Sequence, residues 1–189
     1  GGSTPGRGPH GESVTQCVQY ILAHTQESGF ISASGSVSHG PMYGHGFAAL
    51  FLAECYGMSA SDEIREKLGR AIDLIVNTQN TEGGWRYQPR RLDADISVTI
   101  CQVMALRAAR NAGIEVPNET IDNCIDYVRR SQNPDGGFMY MVSGGESGFA
   151  RSAAGVVALH SAGVYEGTEL GKGIEYLMKF LPGEGRSGA

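Results

Sequence analysis

Gln79-Asn80-Thr81-Glu82-Gly83-Gly84-Trp85 and Gln132-Asn133-Pro134-Asp135-Gly136-Gly137-Phe138 are two versions of one phrase, and Gln26-Glu27-Ser28-Gly29-Phe30 is a shorter third. The three glutamines stand 53 residues apart. A fixed period of this length marks one supersecondary unit copied and stacked along the chain. The glycines supply turn conformations that residues with a Cβ resist, and the aromatic that follows gains a fixed place to dock. A buried glutamine amide at such a turn can bond backbone groups of a neighbouring helix end, tying one repeat to the next.

The segment before each glutamine carries helical periodicity. Val14, Val18, Ile21 and Leu22 form one apolar stripe; Ile64, Leu68, Ile72 and Ile75 form a second; Ile121, Ile125 and Val128 form a third. Charged residues flank the last two stripes, as on helices lying outside a core. Asp62 and Asn118 are expected N-caps. After each turn comes a different kind of helix, apolar or small on most faces: 46–56, 96–112 and 150–162. Such helices are expected to be buried. Gly57, Gly113 and Gly163 sit where glycine C-caps belong. A last outer helix is expected over 169–180, with Leu170, Ile174 and Leu177 in register. No period-two strand pattern occurs. The expected fold class is all-α, a double layer of inner and outer helices.

The Gln-x-x-x-Gly-Gly-Trp/Phe phrase at the end of an outer helix resembles the Gln-Trp (QW) repeat of squalene and oxidosqualene cyclases. The prenyltransferase/squalene-cyclase repeat superfamily shares it more loosely. Tyr43-Gly44-His45-Gly46-Phe47 and Asp95-Ile96-Ser97-Val98-Thr99 are similar to phrases of its bacterial repeat proteins. The resemblance spans roughly residues 12–180. It implies a partial α/α toroid, whose inner helices line a cavity, of about three and a half helical hairpins at this repeat length. Residues 1–11 are then expected as a Gly/Pro-rich disordered arm, 12–181 as the repeat domain and 182–189 as a linker or tail. Gly1 in place of methionine suggests a cut or processed start.

Composition sets outer bounds. The length of 189 residues suits one domain with a workable core. The net charge of -5 is mixed along the chain, with no basic patch, so no nucleic-acid partner is expected. The longest apolar run, Phe47 to Ala53, is far too short to span a bilayer. Cys17, Cys55, Cys101 and Cys124 fall inside expected helices without regular spacing, and are read as buried free thiols.

In a toroid of this kind the inner helices start at one end, so their leading residues converge on one mouth of the cavity. Tyr43 and His45 come from the first, Asp93 and Asp95 from the second, and Arg151 and Ser152 from the third, with Phe149 beside them. Asp93, Asp95 and His45 are the catalytic candidates; Tyr43, Arg151 and Phe149 are the substrate-binding candidates. The resemblance implies a class II terpene-cyclase acid, the middle residue of Asp-x-Asp-Asp. Here the sequence is Asp93-Ala94-Asp95-Ile96, and the last carboxylate is missing. Asp95 also has a simpler reading, as a helix cap. His45 as a hydrogen-bonding residue and Arg151 as an ion-pair partner are the corresponding plain readings.

Asp122, Cys124 and His160 suggest the zinc set of protein prenyltransferases. Residues two apart on an outer helix face different ways, so no metal is assigned, and no cofactor. Three function classes remain. The first is a terpene-cyclase-like isomerase or lyase, or a degenerate relative, acting on an isoprenoid or other hydrophobic ligand in the toroid cavity. The second is a non-catalytic binding module on the concave face. The third is an assembly module whose open edges pair with a second copy or with the missing half of the toroid.

Overall fold

Each repeat begins with an outer helix whose apolar stripe faces inward. The computed structural model describes residues 2–33 and 40–181. Among these, the outer helices are α1 (Gly11–Ala23), α3 (Asp62–Thr78), α5 (Asn118–Arg130) and α7 (Thr168–Met178). The inner helices are α2 (Pro41–Met58), α4 (Ile96–Asn111) and α6 (Phe149–Ser161). The described residues contain isolated bridges but no extended strand, so the protein is all-α.

The inner helices form a continuous layer, with α4 packed on both α2 and α6. The outer helices are set against that layer, α3 between α2 and α4, and α5 between α4 and α6. On α3, Ile64, Leu68, Ala71, Ile72 and Ile75 are buried; on α5, Ile121, Cys124, Tyr127 and Val128 are. Burial of that stripe, at about 25 cal/mol per Å² of apolar surface, holds an outer helix in place.

Several local expectations need correction. The cap of α3 is Ser61, whose side chain accepts from Ile64 N–H, rather than Asp62. Pro117 precedes α5, and Asn118 Oδ1 instead accepts from Arg110 at 3.1 Å. Gly113 and Gly163 do close α4 and α6 with positive φ, each followed by a hydrogen bond back to the helix, Ile114 to Ala109 and Val164 to Leu159. Gly57 lies inside α2, which ends one residue later on extended Ser59. On α7, Leu170, Gly173 and Tyr176 are buried while Ile174 is exposed. The small Gly173 sets the face, because a Cβ there would lie 2.7 Å from Val156 on α6. Cys17 is exposed; the other three thiols are buried and free. Residues expected as a disordered arm fold back as turns, with Thr4 and Arg7 hydrogen-bonded reciprocally and Gly6 N–H donating to Thr15 Oγ1. The expected tail, 182–189, lies outside the described residues.

The turns repeat in three dimensions with one shift of register. Gly29, Gly83 and Gly136 all have positive φ, and a Cβ on any of them would strike a backbone carbonyl of the next outer helix at 2.1 to 2.4 Å. Both the angle and the approach require glycine. Counting back from these glycines, Thr25, not Gln26, occupies the place of Gln79 and Gln132. Thr25 bridges Ile31 just as Gln132 bridges Phe138. The two true glutamines tie repeats together: Gln79 donates to Gly83 O and Thr120 O, both at 2.9 Å, and Gln132 to Gly136 O and Glu169 O at 2.9 and 2.8 Å. Thr25 Oγ1 donates back to Ile21 O on the preceding α1, and Lys67 Nζ, bonded to Leu22 O at 2.8 Å, makes the first cross-tie.

Candidate functional site

The same shift fixes the place of His45. In each repeat the backbone N–H two residues past the turn glycine donates to a side chain fourteen residues on. Trp85 N–H donates to Thr99 Oγ1, Phe138 N–H to Ser152 Oγ and Ile31 N–H to His45 Nδ1. The other His45 nitrogen, Nε2, is 3.3 Å from Ala71 O. With Nδ1 accepting and Nε2 donating, the ring is neutral. Burial lowers its pKa to about 4, against a smaller opposing effect of the Ala71 carbonyl. His45 is wholly buried with both nitrogens engaged to backbone, away from the mouth where it was expected, and Ser152 is its counterpart in the third repeat.

Asp95 precedes α4 and caps it. Its Oδ1 accepts from Ser97 N–H at 2.9 Å, Val98 N–H at 2.9 Å and Ser97 O–H at 2.6 Å. Its Oδ2 is buried without a hydrogen bond, and Arg86 Nε lies 3.7 Å away. Ser97 Oγ is also 2.8 Å from Tyr43 O–H, giving a chain of Tyr43, Ser97 and Asp95. Ser97 thus supplies a partner to the carboxyl in a motif that lacks its last aspartate. Ile96, in that place, points into the core.

Arg86 is the hub of this cluster. It pairs with half-exposed Asp93, and its guanidinium carbon lies 4.9 Å from the Tyr87 ring centroid and 5.9 Å from that of Tyr140. Burial opposes the Arg86 charge, but Asp93, Tyr140, Tyr87 and Asp95 outweigh it and raise the pKa. The two tyrosines are repeat counterparts 53 residues apart, and their hydroxyls meet at 2.5 Å. Burial, then the Tyr87 hydrogen bond and Asp95, push the Tyr140 phenol up. Burial raises Tyr43 as well; the Ser97 hydrogen bond pulls the other way, and Asp95 and Tyr87 add to the rise.

Beside Ser97 the surface opens into a hollow of about 420 Å³, lined by Ser97, Tyr140, Gly148, Phe149, Ala150 and Arg151. Phe149 is half-exposed and meets Phe180 at 5.2 Å. Arg151 does not take the ion-pair role considered for it: among the described residues its guanidinium has no ion pair, and its Nε is buried without a hydrogen bond. The structure therefore gathers Tyr43, Asp93, Asp95, Phe149 and Arg151 around Ser97, Arg86 and Tyr140, and leaves His45 out. Arg86, Tyr87, Ser97 and Tyr140 were missed in the sequence. The 53-residue spacing of the two tyrosines was the available signal.

Residues 45–186 of this chain match the squalene-hopene cyclase C-terminal domain. The chain belongs to the squalene-hopene cyclase C-terminal domain family. Residues 8–71 of this cyclase-family chain also match the prenyltransferase alpha-alpha toroid domain, which names the architecture seen here. A curated relative is drimenyl diphosphate synthase of Streptomyces showdoensis, 25% identical over 127 residues. That match covers 67% of this cyclase-family chain and 23% of the relative.

Proposed function

We propose that this cyclase-family chain carries the proton-donor end of a terpene-cyclase-like site, with Asp95 as the acid. The observation that carries the reading is the asymmetry of its carboxyl group. Oδ1 receives three hydrogen bonds and Oδ2 receives none. Oδ2, without a hydrogen bond, is the oxygen from which a proton can pass to substrate. In the proposed step the π electrons of an isoprenoid double bond take the Oδ2 proton. A C–H bond forms, the O–H bond breaks, and a carbocation remains on the adjoining carbon. Tyr43, Tyr87 and Tyr140 are the aromatic faces near Asp95 that this reading assigns to that charge. The name of the drimenyl diphosphate synthase relative supports an isoprenoid as the substrate class.

The test is turnover of isoprenoid hydrocarbons and isoprenoid diphosphates, read by mass spectrometry of the products. Asp95→Asn retains a capping oxygen and loses the acid. Product formed by the native chain and absent with Asp95→Asn supports the reading. Equal product from both sinks it.

A second reading is favoured by Arg86. Its Nε lies 3.7 Å from Asp95 Oδ2, an ion pair at the oxygen that the acid reading reserves for substrate. Phe149, Val157, Ile174, Met178, Phe180 and Leu181 are also exposed on α6, α7 and the residues just beyond, with Phe149 and Phe180 in ring contact at 5.2 Å. On this reading the chain is a binding or assembly module, and the apolar flank is covered by a second copy or by further repeats. Light scattering on a sizing column tests it: a dimer dissociated by Ile174→Lys supports assembly, and a monomer at all concentrations removes the second copy.

A further inference from the structure

We propose that Arg86 is a side-chain gate on Asp95, latched shut by Asp93 and opening toward the loop that joins them. The guanidinium stands at the Asp95 oxygen that has no hydrogen bond, with Nε 3.7 Å from Oδ2. The Asp95 side chain is wholly buried, whereas that of Arg86 is 23% exposed. Arg86 is an imperfect occupant of this place. The separation exceeds a hydrogen bond, so a buried carboxyl oxygen has a cation beside it and no donor.

The repeat does not require the arginine. Three residues past the turn glycines Gly29, Gly83 and Gly136 stand Ser32, Arg86 and Met139; twelve past them stand Pro41, Asp95 and Gly148. The turn forms in all three repeats, while the arginine and the buried aspartate occur together in the middle one. What holds the guanidinium is weak on its outer side. Its partner Asp93 is 51% exposed, and a pair half in water is screened. Its Nη1 also donates to Met141 Sδ at 3.2 Å, and a thioether is a poor acceptor.

The backbone around Arg86 is tied down. Asp95 N–H donates to Trp85 O at 3.0 Å, Asn80 Nδ2 to Leu92 O at 3.2 Å and Arg91 Nε to Asn77 O at 2.6 Å. The moving part is therefore the Arg86 side chain. A hollow of about 250 Å³, lined by Arg86, Tyr87, Gln88, Arg90, Leu92 and Asp93, gives it room to turn outward. Arg90 in the same hollow repels a second guanidinium, so the gate rests shut. Turned outward, Arg86 uncovers Oδ2 and the ring faces of Tyr87 and Tyr140. What the gate admits, a substrate for the Asp95 acid, rests on the proposed function; the gate itself stands on Arg86, Asp93 and Oδ2.

Carboxyl labelling reads the gate without turnover. The chain is treated briefly with a water-soluble carbodiimide and glycine ethyl ester, and modified residues are located by mass spectrometry. In the native chain at low salt, exposed Asp62 is expected to react and Asp95 to stay unmodified. In Arg86→Ala and Asp93→Asn, Asp95 is expected to react roughly tenfold faster, the change that loss of a partly exposed ion pair and its ring contacts brings. Salt is expected to speed the native reaction in the same direction. Methylguanidinium, refilling the place of the lost side chain, is expected to slow the reaction of Arg86→Ala again. Arg107→Ala, at the far end of α4, is expected to match the native chain.

Thermal unfolding checks each variant, and Asp93→Asn, at a half-exposed position, decides the matter if Arg86→Ala does not fold. Asp95 unmodified in the folded variants, labelled in the native chain as fast as Asp62, or unprotected by methylguanidinium overturns the gate. Turnover is measured separately. A gate seen by labelling with no product from any variant counts against the acid role of Asp95 and leaves the gate standing; Asp95-dependent product with no change in labelling removes the gate alone.

Discussion

His45 Nδ1 accepts the Ile31 N–H at 3.1 Å, the service that Thr99 performs for Trp85 and Ser152 for Phe138. A histidine in the role of a hydroxyl makes the first repeat sensitive to acid where the other two are not. Its folded pKa of about 4 lies below the ordinary 6.5. The unfolded chain therefore binds the extra proton between those values, and stability rises with pH through that window. The contribution is full above pH 6.5 and is lost as pH falls toward 4. Its size is on the order of 3 kcal/mol. Urea titrations across this range should show the slope, and His45→Thr should flatten it. An unchanged slope in the variant would assign the acid sensitivity elsewhere.

Gln79→Ala should destabilise more than Gln132→Ala. Each amide donates to two carbonyls, its own turn and the next outer helix, but Gln79 is buried and Gln132 only partly so. Leaving buried carbonyls without a donor costs about 1–3 kcal/mol. Urea midpoints of the two variants give the order directly; the reverse order would mean that the tie to α7 outweighs the tie to α5.

Asp95→Ala and Asp95→Asn separate the cap from the acid. Alanine removes all three hydrogen bonds to Oδ1 and should cost roughly 1–2 kcal/mol of stability, whereas asparagine should keep most of the cap. Thermal unfolding of the pair is the check. Equal loss in both would mean that charge, through Arg86 and the helix dipole, matters more than the acceptor atom.

Thiol labelling should be graded by position. Cys17 is exposed and should react first. Burial, with Asp95 adding to it, pushes Cys101 up to about 11, and burial alone pushes Cys124 up to about 12. The thiolate is the nucleophile, so these two should react only on unfolding. Mass spectrometry after brief labelling of the native chain should find a single modified cysteine. Early modification of Cys124 would show α5 opening locally.

The sequence by itself determined the repeat, the all-α class, the alternation of outer and inner helices, and the family. These are legible because each rests on residues close in the chain: a helical stripe recurs every three or four positions, and a glycine turn is fixed by a few neighbours. It also placed Asp95 at the start of α4, where a carboxylate caps by local geometry alone.

Only the tertiary structure decided the rest. The first repeat reads as Gln26 in the alignment of letters, but the positive φ of Gly29 and the bridge from Thr25 to Ile31 set the true register. That one-residue shift turned His45 from a candidate at the mouth into a buried backbone acceptor. The gathering of Arg86, Tyr87 and Tyr140 around Asp95 depends on neighbouring repeats packing side by side, which brings residues 53 apart to within a hydrogen bond. The site therefore appears only once the stacked turns fix their mutual spacing, because its hydrogen bonds and ring contacts act over a few ångströms between segments that the chain itself keeps far apart.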